Sequence, residues 1–147
     1  MKKTILMLSI IMTAITVHPQ SQEVFSTKGS AINGYDAVSY FKESKPVKGN
    51  SKFILKWKEA TWYFSSKENL ATFKANPEMY APQYGGFCAY GTSEGHKAPT
   101  DPSAWTVADG KLYLNYNSDV KTMWRKNQKA LIEKADMNWP KIKNSKE

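Results

Sequence analysis

One cysteine, two histidines and no membrane-length apolar run after residue 17 are the scarcities of this 147-residue chain. A lone Cys88 excludes an intrachain disulfide and any cluster of thiolates from one chain. With only His18 and His96 beside it, a zinc site of two cysteines and two histidines is excluded by count. If His18 leaves with the N-terminal segment, a blue-copper site, which needs two imidazoles and a thiolate, goes too. A c-type haem motif is missing. No glycine-rich phosphate loop follows a strand, no carboxylates pair at a catalytic spacing, and no Ser-His-Asp set is readable.

The N-terminus is of a different character. Lys2 and Lys3 precede an apolar run from Ile5 to Val17, and polar residues follow from His18 to Gln22. A basic start, a short apolar stretch and a polar exit predict a secretory signal peptide over residues 1–21, with a single domain over 22–147. The expected location is the periplasm or the extracellular space, in soluble form and not membrane-embedded. The formal charge of +8 falls to about +6 without the two N-terminal lysines. Much of it lies in a basic C-terminal helical segment: Lys121, Arg125, Lys126, Lys129, Lys134, Lys141, Lys143 and Lys146. Export argues against a nucleic-acid partner, so these lysines are read as a solvated helix face.

The pattern along the chain predicts a small α+β fold, an antiparallel sheet of hairpins packed with several helices. Residues 22–30 read as loose, 32–41 as holding a short helix after Gly34, and 42–52 as a charged loop. "FILKW" (53–57) and "ATWYF" (60–64) read as a hairpin turning at Lys58-Glu59. "SSKENLATFKANPEMY" (65–80) reads as a helix with Ser65 as N-cap, Glu68 completing a capping box, and Pro77 ending it or starting another turn. Residues 81–104 form a long Gly- and Pro-containing stretch of the kind that carries function. Asp109-Gly110 between "WTVAD" and "KLYLNY" predicts a second hairpin. Asn117 or Ser118 then caps a helix bearing Val120, Met123, Trp124 and Leu131, interrupted at Asn127, and Trp139-Pro140 covers one side of the core.

The stretch "TWYFSSKENLATFKANPEMYAPQYGGFCAYG" resembles the YHS domain: an aromatic strand ending in Tyr-Phe, a serine, a helix with a phenylalanine, then Asn-Pro-x-x-Tyr. "GYDAVSYF", "DPSAW" and "DGKLYLNYN" are also similar to parts of exported bacterial single-YHS-domain proteins, extending the resemblance over residues 32–124. The resemblance implies a small α+β binding module, often associated with metals and found attached to copper-transporting ATPases. In the metal-binding versions cysteines stand at three places that align here with Ser39, Ser65 and Asn69. A hydroxyl or an amide replaces a soft thiolate poorly.

The thiol in "GGFCAYG" (85–91) is left with several roles. Cys88 and His96 form a candidate metal pair for copper, or else zinc, to be completed by Glu94, Asp101, Met79 or Met123. A Cys–His pair is also the minimum for thiol chemistry. The plain reading is a buried small hydrophobe among aromatics. Tyr35, Trp62, Tyr84, Tyr90 and Trp105 belong either to the core or to a ligand pocket. Asp36 and Asp101 precede turns and read as caps. The expectation is a binding module and not an enzyme, taking either a metal ion or a small organic ligand or protein partner through residues 81–104.

Overall fold

The computed structural model describes residues 22–146, so the expected signal segment lies outside the described residues. Among the described residues six strands and six helices follow one another. They are β1 (Ser26–Thr27), β2 (Ser30–Ala31), α1 (Ser39–Lys42), β3 (Asn50–Trp57), β4 (Ala60–Phe64), α2 (Lys67–Ala75), α3 (Pro77–Tyr80), α4 (Ala89–Ser93), β5 (Trp105–Ala108), β6 (Lys111–Leu114), α5 (Ser118–Lys126) and α6 (Gln128–Ile142), with 3-10 turns at Ile32–Gly34 and Gln83–Gly86. The α+β expectation holds. The larger sheet runs β1-β2-β4-β3 and β5-β6 forms the smaller. All pairings are antiparallel except β2 with β4, which meet in parallel at Ser30 and Thr61.

Both hairpins turn where their residues demand. Lys58 and Glu59 take φ of 48° and 61°, and Asp109 and Gly110 take 50° and 72°. Two successive left-handed residues match the twist of the flanking strands. Phe53, Leu55 and Trp57 face inward along β3 while Lys52, Ile54 and Lys56 face water, the period-2 pattern of a half-buried strand. β3 starts earlier than the apolar run implies, because Asn50 pairs with Phe64 across a register shift that absorbs the polar residues between. Residues 22–30 are likewise more ordered than their polarity suggests. Val24 is buried, and the Phe25 N–H donates to the Gly85 carbonyl at 2.9 Å.

Two hydrophobic clusters meet at β6. Leu112 and Leu114 join Val24, Ile32, Tyr40, Trp62, Phe64 and Phe73 on one side. Tyr113 points the other way, to Tyr84, Trp124, Leu131 and Ala135. The rings of Trp62 and Phe73 lie 4.9 Å apart, and those of Tyr113 and Trp124 5.2 Å. Burying such a ring contributes about 1.5–3 kcal/mol, which lets a small domain stand without disulfides.

The C-terminal helices follow their polar punctuation. Asn117 caps α5 by accepting from the Val120 N–H at 2.9 Å. Asn127, at φ −129°, breaks the run into α5 and α6. Arg125, Lys126, Lys129, Lys134 and Lys141 are exposed, as a solvated basic face requires. Among the described residues, no helix is long and apolar enough to cross a membrane.

The start of α2 corrects the sequence reading. The N-cap is Ser66, not Ser65: its hydroxyl accepts from the Asn69 N–H at 3.1 Å, and its backbone is extended. Ser65 is engaged elsewhere, with both its N–H and its hydroxyl donating to Asp36. The capping box with Glu68 lapses with it.

Candidate functional site

Three places gather the chemistry-bearing residues. The first is centred on Asp36, which is fully buried. Its Oδ1 accepts from the N–H groups of Val38 at 2.9 Å and Ser39 at 3.3 Å. Its Oδ2 accepts from the Ser65 N–H at 2.8 Å, the Ser65 hydroxyl at 2.6 Å and the Asn69 side-chain amide at 2.7 Å. Capping accounts for the Oδ1 contacts at the entry to α1. The Oδ2 contacts tie that entry to the end of β4 and the first turn of α2. Ser39, Ser65 and Asn69, the three positions where the resemblance implied thiols in metal-binding versions, thus surround one carboxylate. The Ser39 hydroxyl donates to the Asp36 and Lys45 carbonyls at 2.7 and 3.1 Å. Two hydroxyls and an amide already bound to backbone carbonyls or to the carboxylate do not fit a thiolate-type metal site.

The second place is Cys88. The thiol is buried and stands at the N-cap of α4. Its Sγ accepts from the Gly91 N–H at 3.4 Å, and its S–H donates to Asn115 Oδ1 at 3.6 Å. Burial pushes the thiol above its ordinary pKa, with backbone N–H groups opposing in part. His96 is exposed, and its Nε2 lies 3.3 Å from where a β-carbon on Gly91 would stand. Cys88 and His96 therefore approach the same glycine. Among the described residues no three His, Cys, Asp or Glu side chains converge on a metal position, so neither Glu94 nor Asp101 completes the pair. The Asp101 carboxylate accepts from the Ser103 N–H at 2.7 Å, as a turn residue does.

The burial of Cys88 sets its reactivity. An alkylating reagent should modify it at least tenfold faster in denaturant than in the native protein (an order-of-magnitude expectation from burial and protonation). The raised folded pKa also means that the unfolded chain loses this proton first. Cys88 therefore costs stability as pH rises above the ordinary thiol range. Native-state labelling as fast as in urea contradicts this placement.

The third place is a cleft of about 420 Å³ where the two hydrophobic clusters meet. Trp57 and Trp62, from the β3–β4 hairpin, form one wall, with ring centroids 5.6 Å apart. Tyr84 and Trp139 form the other at 6.1 Å. Charged side chains complete the lining: Glu23, Lys58, Glu78, Lys111 and Asp136. Lys58 Nζ lies 3.1 Å from Glu23 Oε1, 3.3 Å from Glu78 Oε1 and 4.7 Å from the Trp57 ring centroid. Partial burial pulls the Lys58 pKa down, but the hydrogen bonds and charges of Glu23 and Glu78 outweigh it and hold it above the ordinary lysine value. The Tyr84 hydroxyl donates to Asp136 Oδ1 at 2.8 Å. Burial first, then that bond, raises the Tyr84 pKa far beyond the working range, so the phenol stays protonated.

The backbone around Tyr84 is built for close approach. Tyr84 and Gly85 take φ of 56° and 61°, and a β-carbon on Gly85 would sit 1.8 Å from the Glu23 carbonyl oxygen. Only glycine fits there. This turn brings the N-terminal residues 23 and 24 to the edge of the cleft.

Of the aromatics that sequence reasoning offers for a pocket, Trp62 and Tyr84 line the cleft. Tyr35 lies under Lys48, Trp105 packs on Tyr40, and Tyr90 packs against the second cluster. Trp57, Lys58, Glu78, Asp136 and Trp139 carry no motif. Their common signal is spatial, since the hairpin and the last helix are far apart in the chain. Residues 81–85 contribute to the cleft, but Cys88 and His96 do not.

The model of the YHS domain family matches residues 38–84. No curated protein and no solved structure matches the chain. The matched segment runs from the entry of α1 to Tyr84. It therefore supplies Trp57, Lys58, Trp62 and Glu78 to the cleft, while Glu23, Lys111, Asp136 and Trp139 come from outside it. The match to the YHS domain is confined to residues 38–84, and the cleft lies along its border.

Proposed function

We propose that this protein is an exported binding module that holds a small organic ligand in the cleft between Trp57/Trp62 and Tyr84/Trp139, and that it acts by binding and not by catalysis. The observation that carries the reading is the cleft itself. A concave site with aromatic walls and a few charged groups is the usual form of a small-molecule site. It meets the 81–104 segment at residues 81–85. Export rests on the basic and apolar N-terminal pattern of residues 1–21.

A second reading keeps the metal association of the YHS family. It places copper, or else zinc, at Cys88 and His96, and is favoured by their shared approach to Gly91. Variants separate the two readings. Gln83→Trp puts a bulky ring on the cleft wall at a partly exposed position. Small aromatic compounds screened by ligand-observed NMR should bind the protein, bind Cys88→Ala equally, and lose about tenfold or more in affinity with Gln83→Trp. Unchanged binding to Gln83→Trp contradicts the cleft. Stoichiometric copper or zinc uptake that disappears in both Cys88→Ser and His96→Ala favours the metal site instead.

A further inference from the structure

Resting on the cleft reading, we infer that its ligand is an organic cation, an ammonium carried on an apolar or aromatic body, and that Lys58 occupies the cation subsite in the ligand's absence. The polar groups of the lining decide the class. The Trp62 indole N–H already donates to the Trp57 carbonyl at 3.0 Å, and the Tyr84 hydroxyl to Asp136. These donors are engaged inside the protein. What lines the cleft besides them is four aromatic residues, Trp57 and Trp139 the less buried of them, and the carboxylates of Glu23, Glu78 and Asp136. Both attract positive charge, because the ring face is the negative end of its quadrupole and a carboxylate only accepts. Three carboxylates stand against the two ammonium groups of Lys58 and Lys111, in a chain whose overall charge is +8. The local sign is therefore opposite to that of the molecule.

Lys58 shows how a cation sits there. Its ammonium lies over the Trp57 ring and between Glu23 and Glu78. That is a cation–π contact closed by two carboxylates, the arrangement a ligand ammonium would need. Lys58 reaches the site from the tip of the β3–β4 hairpin on a long side chain that is one-third exposed. Exposed ion pairs of this kind are weak, so the side chain can swing into water and yield its place. A ligand with a hydrophobic body gains what lysine lacks, the contact with Trp139 and Tyr84 on the far wall.

Three compounds with the same ring and different charge test this: benzyltrimethylammonium, benzyl alcohol and benzoate, titrated by calorimetry and tryptophan fluorescence. Benzyltrimethylammonium should bind about tenfold or more tightly than the other two. Lys58→Met should tighten it severalfold by freeing Trp57, Glu23 and Glu78, and the exposed Glu78→Gln should weaken it. Lys58→Gln, which keeps the turn polar, should behave as Lys58→Met and guards against a folding artefact. Preferential binding of benzyl alcohol or benzoate, still abolished by Gln83→Trp, overturns the charge class and leaves the cleft as a binding site. Weaker cation binding in both Lys58 variants overturns the role given to Lys58. Failure of all three compounds to bind counts against the cation and the cleft together.

Discussion

Replacing Asp36 with alanine should destabilise the protein by about 3–5 kcal/mol in a denaturant titration, enough to unfold much of the population of a marginal domain. Five hydrogen bonds end on this carboxylate, and Asp36 is wholly buried. Removing it strands the N–H groups of Val38 and Ser65 and the Asn69 amide away from water. Each stranded donor costs about 1–3 kcal/mol. Asp36→Asn should also be harmful, at about 2 kcal/mol or more, since its NH₂ must face donors at whichever end it occupies. A loss below about 1 kcal/mol for Asp36→Ala would mean that water or a shifted backbone satisfies these groups.

The neighbouring serines should respond oppositely to one substitution. Ser65→Asp places a second carboxylate where the Ser65 hydroxyl stands 2.6 Å from Asp36 Oδ2. A second negative charge at that range, beside the fully buried Asp36 and in place of a donor to it, is repelled, so a loss of about 3 kcal/mol or more is expected at neutral pH. Ser66→Asp should be neutral or mildly stabilising. Aspartate caps a helix as well as serine does, and its charge suits the N-terminus of α2. Ser66→Ala should cost about 1 kcal/mol. Equal stability curves for Ser65→Asp and Ser66→Asp would contradict the assignment of the cap to Ser66.

These serines also show how far residue patterns reach. The run Ser65-Ser66 announces a helix start, but which serine caps depends on Asp36, about thirty residues earlier, drawing Ser65 away. Local chemistry sufficed wherever the determinant was local. Lys58-Glu59 and Asp109-Gly110 turn the hairpins, Asn117 caps α5, Asn127 splits the last helices and Pro77 opens α3. Strands β1 and β2 were illegible because two residues carry no period, and their order comes from β4 and the Gly85 carbonyl. At the candidate site, the aromatic character was readable and the membership was not. Trp57 and Trp62 come to share a cleft with Tyr84 and Trp139 only through the tertiary fold, since the hairpin and α6 lie far apart in the chain.

The five tryptophans, three lining the cleft and two not, make binding there directly observable. Trp57, Trp62 and Trp139 line it, whereas Trp105 packs on Tyr40 and Trp124 on Tyr113, away from it. The decisive measurement is the ¹⁵N-indole NMR spectrum of the protein, titrated with whichever of the three benzyl compounds binds best. The indole signals of Trp57, Trp62 and Trp139 should move together and saturate, with those of Trp105 and Trp124 unmoved. Shifts confined to Trp105 or Trp124, or no saturable shift at all, would contradict binding in this cleft.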